Sequence, residues 1–230
     1  MQNDRILELE QKISIKFKNK DLLLQALTHR SYLNENTKWH LDHNERLEFL
    51  GDAVLELVVT DYLYNNYPHP EGELTNWRAA IVNAVILAKI SEKFSLNDYI
   101  LLSRGEAKDV GRARQYILAN AIEALIGAIY LDQGYKKAEE FINRFIIEEL
   151  PVIIEQKAYR DPKSLFQEEA QDRVGITPTY EVIKEWGPDH ARHFDIGVFL
   201  GDELVAKGEG LSKQEAQQVA AEEALKLKGW

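Results

Sequence analysis

The hydrophobic residues of this chain follow a helical period up to about residue 150 and a strand period in much of the remainder, and a single kind of layer cannot satisfy both. In the first part Leu47, Leu50, Val54, Leu57 and Val58, and later Ile122, Leu125, Ile126 and Ile129, recur at i, i+3, i+4 spacing. Breakers separate the helical stretches at Tyr67 to Gly72, Ser95 to Asp98, Ser103 to Gly105 and Asp132 to Gly134. No alternating strand stands out among them. After Pro151 the pattern changes. Asp161-Pro162 suits a helix start, with Asp161 capping and Pro162 in the first turn of a helix to about Val174. Tyr180, Val182 and Trp186 alternate within Thr179 to Trp186, and Phe194, Ile196, Val198 and Leu200 within His193 to Leu200. Gly201-Asp202 reads as a tight turn into a third strand, Glu203 to Gly208, and a last helix runs from Ser212 to about Lys228. The expected architecture is an all-α domain over residues 1–150, a linker over 151–160, and a small α+β domain of α-β-β-β-α order over 161–230.

Composition narrows the function. The 230 residues are 45% hydrophobic, as in a globular chain, and contain no cysteine, so disulfides and thiolate metal sites are excluded. The N-terminal stretch has no apolar core of signal-peptide length, and Ala79 to Ile90 is too short and too interrupted to span a bilayer. A cytoplasmic protein without a membrane partner is expected. With 28 Lys+Arg against 38 Asp+Glu the net charge is −10. Nucleic acid would therefore have to be met by local basic groups or bound cations.

Chemistry concentrates in Asn44 to Leu57. Glu45, Glu48 and Asp52 fall at i, i+3 and i+7, on one face of a helix that is otherwise largely apolar. Glu48 and Asp52 stand about 6 Å apart along its axis, close enough to share one cation. A lone helix acid is ordinarily solvated or paired. Three on one face of an apolar helix favour a hard cation with oxygen ligands. A second apolar helix carries Asn120 and Glu123 at i, i+3, so two facing helices can supply one set of oxygen donors. Glu71, in the loop Pro70-Glu71-Gly72, is a weaker candidate. His40, His43 and His69 have no ligand spacing and are expected at the surface or at caps. No Gly-rich phosphate loop and no nucleophile triad is present, and no small-molecule organic cofactor is expected.

At these residues the chain resembles bacterial ribonuclease III. The family signature Asn-Glu-Arg-Leu-Glu-Phe-Leu-Gly-Asp stands unbroken at Asn44 to Asp52, and Leu27-Thr28-His29-Arg30-Ser31-Tyr32 and Glu123-Ala124-Leu125-Ile126-Gly127 match further motifs. The resemblance covers nearly the whole chain and implies an N-terminal endonuclease domain followed by a double-stranded-RNA-binding domain. It implies a homodimer that makes staggered cuts in duplex RNA, leaving 5′-phosphate and 3′-hydroxyl ends, in ribosomal RNA precursors and structured messages. It assigns Asp52 and Glu123 catalytic roles, makes Glu48, position 120 and Glu123 ligands of Mg²⁺ (with Mn²⁺ as a substitute), and places Glu45 and Glu71 along the cleavage valley. Clustered oxygen donors suit Mg²⁺, which keeps several waters. The chain departs from the family pattern at Asn120, where the family has Asp. An amide oxygen ligates Mg²⁺ but lacks the charge, so weaker metal binding is expected; the alternative is a double-stranded-RNA-binding protein impaired in cleavage.

The second domain resembles the double-stranded-RNA-binding domain. Gln167 and Gln171, at i, i+4, present amides suited to 2′-hydroxyls in the minor groove of A-form RNA; His190 looks like the family's loop contact there; Lys213 opens the last helix toward phosphates. Residues 161–230 carry 8 Lys+Arg against 14 Asp+Glu, so modest affinity, salt dependence and recognition by shape are expected.

Overall fold

The computed structural model describes residues 2–108, 111–155, 161–188 and 192–230. The chain divides into two compact units, Met1–Tyr159 and Arg160–Trp230. The first is helical: α1 (Gln2–Ile13), α2 (Lys20–Ala26), α3 (Arg30–Glu35), α4 (Glu45–Asn66), α5 (Glu71–Ile81), α6 (Ala84–Glu92), α7 (Arg112–Gln133), α8 (Tyr135–Phe145) and α9 (Leu150–Glu155). Its only extended pairing among the described residues is an isolated bridge between Thr28 and Leu101. None of the described helices is long and apolar enough to cross a membrane.

Two 22-residue helices, α4 and α7, form the centre of this unit. α4 buries Leu47, Val54, Leu55, Val58, Val59 and Leu63, while Leu57, expected on that face, is 57% exposed because it lies a quarter-turn away from it. α7 buries every residue from Ile117 to Ile129 except Asn120 and Glu123. The breakers act as expected at Asp132 to Gly134, where α7 ends at Gln133. Glu71 corrects the sequence reading: it is the first residue of α5, with Pro70 as its N-cap, not a loop residue. A carboxylate there meets the positive end of the helix dipole. The stretch 151–160 assigned to a linker begins as helix, because Leu150 and Ile153 are buried in the core of the first unit; residues 156–160 lie outside the described residues.

The second unit has the expected order: α10 (Pro162–Val174), β1 (Thr179–Trp186), β2 (His193–Leu200), β3 (Glu203–Gly210) and α11 (Lys213–Lys228). The strands form one antiparallel sheet in the order β1-β2-β3. Phe166, Ala170, Val198, Leu200, Ala206 and the alanines of α11 make its core, with Trp230 stacked on Phe166 at 5.5 Å. The Asp161 carboxylate caps α10, accepting from the Ser164 amide at 3.0 Å, and Ser212 caps α11 in the same way at 3.1 Å. A bulge between Val182 and Lys184 breaks the alternation of β1 and leaves Val182 43% exposed. β3 continues past Gly208 because that glycine is a contact point and not a terminator: a Cβ there would lie 2.2 Å from the Ala220 nitrogen of α11.

Candidate active site

The two central helices of the first unit touch backbone to backbone. A Cβ built on Gly51 of α4 would fall 1.7 Å from the carbonyl oxygen of Glu123 on α7; one on Gly127 of α7 would fall 2.2 Å from the carbonyl oxygen of Leu47. Only glycine permits this approach. Gly51 lies between Glu48 and Asp52, and the carbonyl it meets belongs to Glu123 itself. The glycines therefore set how closely the acids of α4 stand to the polar pair of α7. Both glycines lie in the motifs around Asp52 and Glu123, but spacing alone does not reveal this role. Asn44, just before α4, anchors the helix from the other end: it is buried, its backbone N–H donates to the Thr28 carbonyl at 2.9 Å and its side chain to the Ala26 carbonyl at 3.3 Å. Thr28 in turn lies against Leu101, and Ser31 accepts from the Ser103 amide at 3.1 Å. The stretch from Leu27 to Tyr32 is thus scaffold for the start of α4.

The electrostatics reflect the convergence of Glu48, Asp52, Asn120 and Glu123. Burial pushes the Glu123 carboxyl up to about 8, with the charges of Asp52 and Glu48 adding to the shift. Glu48 is also raised, first by burial, then by Glu45, and by Asp52, while a hydrogen bond from the Asn120 side chain acts in the opposite direction. No basic side chain contributes at either carboxyl. Glu45 differs, since Arg30 stands 3.5 Å from it and His43 3.8 Å. Glu71 takes no part in this group; its carboxylate accepts from Thr75 Oγ1 at 3.2 Å and it lines a cleft with Thr60, Tyr64 and Arg78. Among the described residues no three Asp, Glu or His side chains form a ready metal-binding group. One of the four convergent donors is an amide, and bare carboxylates repel one another.

The histidines behave as expected. His43 Nδ1 accepts from the Glu45 amide at 3.4 Å near the start of α4, His40 stands 3.7 Å from Asp21, and His69 pairs with Glu73 at 2.9 Å. Phe49, inside the signature, is a residue that sequence reasoning misses; it is 82% exposed on α4 next to Glu48. Its signal is an aromatic residue on the face that carries Glu45 and Asp52, away from the buried face.

In the second unit Gln167 and Gln171 are exposed on α10, and Gln171 accepts from Thr177 Oγ1 at 3.3 Å. Lys213 is the first residue of α11, with its ammonium 5.7 Å from the centre of the Phe194 ring. His190 lies outside the described residues.

A model of ribonuclease-III-like domains matches residues 19–150, and a model of the double-stranded RNA binding motif matches residues 162–228. The chain belongs to the ribonuclease III family. It is 46% identical over 220 residues to ribonuclease 3 of Borreliella afzelii, covering 95% of this chain and 89% of that one. It is 48% identical over 217 residues to ribonuclease 3 of Natranaerobius thermophilus, covering 94% and 93%. Among solved structures, the nuclease domain of ribonuclease III from Campylobacter jejuni is 43% identical, with a TM-score of 0.57 over 63% of this chain and 97% of that one. The protein is a ribonuclease III-type endoribonuclease, with a nuclease domain built on α4 and α7 and a double-stranded-RNA-binding domain built on α10, β1–β3 and α11.

Proposed function

We propose that this endoribonuclease hydrolyses both strands of duplex RNA with Mg²⁺ held by Glu48, Asn120 and Glu123, leaving 5′-phosphate and 3′-hydroxyl ends, and that it processes ribosomal RNA precursors and structured messages. The observation that carries this reading is Glu123: a half-buried carboxyl facing two other carboxyls, with no basic side chain offsetting them. Such a donor set fits a hard divalent ion, which takes oxygen ligands and supplies the missing charge. When bound, the ion polarises the phosphoryl group and makes water a better nucleophile. Asp52 and Glu123 orient the attacking water and the departing oxygen, Glu48 holds its place through the Asn120 amide, and the buried flanks of α4 and α7 limit water access. Gln167, Gln171, His190 and Lys213 grip the duplex.

The active form in this reading is a homodimer in the cytoplasm, in which Glu45 and Glu71 extend the cleavage valley. Phe49, apolar and exposed beside the site, supports a second copy covering this face. A region of the Campylobacter jejuni nuclease domain is involved in dimer formation.

The second reading, an RNA-binding protein impaired in cleavage, is favoured by the hydrogen bond from the Asn120 side chain to Glu48, which occupies a Glu48 lone pair and turns an amide N–H toward the ligand set. One experiment separates the two. A long RNA duplex is incubated with the protein and Mg²⁺, then with a chelator. Magnesium-dependent shortening supports the nuclease; retarded, intact RNA supports the binding protein. Asn120→Asp should preserve or raise activity at low Mg²⁺, and lower activity at every concentration refutes the ligand assignment.

A further inference from the structure

The polar line that carries Asn120 and Glu123 does not begin with them. At 100° per residue, Arg112, Tyr116, Asn120 and Glu123 fall within about 80° of one another on α7. Beyond Tyr116 all of α7 up to Ile129 is buried except Asn120 and Glu123, so these four residues form one stripe, exposed at Arg112 and Tyr116 and half-buried at Asn120 and Glu123. Tyr116 is 50% exposed and lies one turn, about 6 Å, before Asn120; Arg112 is exposed one turn further out. Between the first turns of α6 and α7 a cavity of about 500 Å³ opens, lined by Val85, Ile86, Arg112, Gln115 and Tyr116. Val85 is 62% exposed there.

The chemistry of this cavity differs from that of the acidic site next to it. Arg30 and Arg78 are each occupied by a glutamate, Glu45 and Glu56, whereas Arg112 has no ion-pair partner among the described residues. An exposed guanidinium, an exposed phenol ring, an amide and an aliphatic floor make a set that meets a phosphate, a base face and a ribose together. In a chain of net charge −10, an exposed arginine in line with the carboxylates is where a polyanion gains most.

We propose that Arg112 and Tyr116 bind a phosphate and its nucleotide in the RNA strand that runs along α7 to Glu123, and so position the strand that is cut. The proposal rests on the placement of the reacting centre at Asp52 and Glu123. It makes Arg112 and Tyr116 substrate-binding residues two turns and one turn from Asn120, and it gives the nuclease unit its own hold on RNA beside that of the second unit.

The test measures steady-state cleavage of a long RNA duplex in Mg²⁺ by the full chain, at several salt concentrations, for Arg112→Ala, Tyr116→Ala, Tyr116→Phe and Glu123→Gln. Arg112→Ala should raise KM about five- to tenfold with kcat within about twofold, and reduce the slope of log affinity against log salt by about one. Tyr116→Ala should raise KM similarly, and Tyr116→Phe, which keeps the ring, should restore most of it. Both residues are exposed, so the melting temperature should stay with the parent. Parental KM and salt slope in Arg112→Ala and Tyr116→Ala, beside an inactive Glu123→Gln, would overturn this proposal alone. A changed oligomeric state with unaltered RNA affinity would overturn it too, making the cavity a contact between copies. A Glu123→Gln variant that cuts at the parental rate would instead remove the reacting centre on which the proposal stands.

Discussion

Replacing Gly51 by alanine sets two physical effects against each other. Gly51 lies inside a 22-residue helix, where alanine is intrinsically better by about 1 kcal/mol. On propensity alone the variant should be more stable. The tertiary structure reverses the sign, because the new methyl would sit 1.7 Å from the Glu123 carbonyl oxygen and 2.8 Å from the Gly127 nitrogen, all of it backbone. To reach even a 3.0 Å contact the two helices must separate by at least about 1.3 Å. Overpacking of this kind costs about 1 to 3 kcal/mol, and here it is spread along the central helix pair, so the upper end of that range applies. The net loss is about 2 kcal/mol, or roughly 4 to 8 °C in the melting of the nuclease unit. Catalysis suffers more than stability, since a displacement of about 1 Å costs on the order of 10²-fold in rate. Differential scanning calorimetry and single-turnover cleavage of duplex RNA in saturating Mg²⁺ measure the two quantities. A variant that melts higher than the parent and cuts at the parental rate would refute the claim that the backbone contact sets the distance between Glu48, Asp52 and Glu123.

Glu123 should make the metal-free protein less stable as pH rises. Its folded-state carboxyl is raised from the usual 4.5 to about 8, so between those values the folded chain holds a proton that the unfolded chain releases, and stability falls across that window. Urea unfolding in chelator from pH 5 to pH 8 should show this slope, and Glu123→Gln should flatten it; an equal slope in both proteins contradicts the assignment. Mg²⁺ should accordingly stabilise the protein more at pH 8 than at pH 6, with proton release on binding measurable by calorimetry in buffers of different ionisation enthalpy. In the second unit Asp161→Ala removes both the α10 cap and the acceptor of Gln218 Nε2, at 2.6 Å, that ties α10 to α11. It should cost about 1 to 2 kcal/mol and weaken duplex binding in a gel-shift assay, because the proposed RNA contacts Gln167 and Lys213 then sit on helices no longer latched together; parental affinity with a lowered melting point would limit Asp161 to a structural role.

The elements and the candidate acids of the proposed site are legible in the residues alone. A period of 3.6 before residue 150 and of 2 after it is a local property, as are the caps at Asp161 and Ser212, so α10, β1 and β2 can be drawn without a structure. The acids at Glu45, Glu48 and Asp52 share a face for the same local reason. Spacing leaves open which distant groups meet. Glu71 and Glu123 are both acids outside the signature, but only Glu123 joins Glu48 and Asp52, because Gly51 and Gly127 remove the side chains that would hold α4 and α7 apart. The raised carboxyl of Glu123 and its nearness to Glu48 and Asp52 both arise from that one crossing. Such a contact joins residues more than seventy positions apart, and no periodicity within either helix encodes the distance between them.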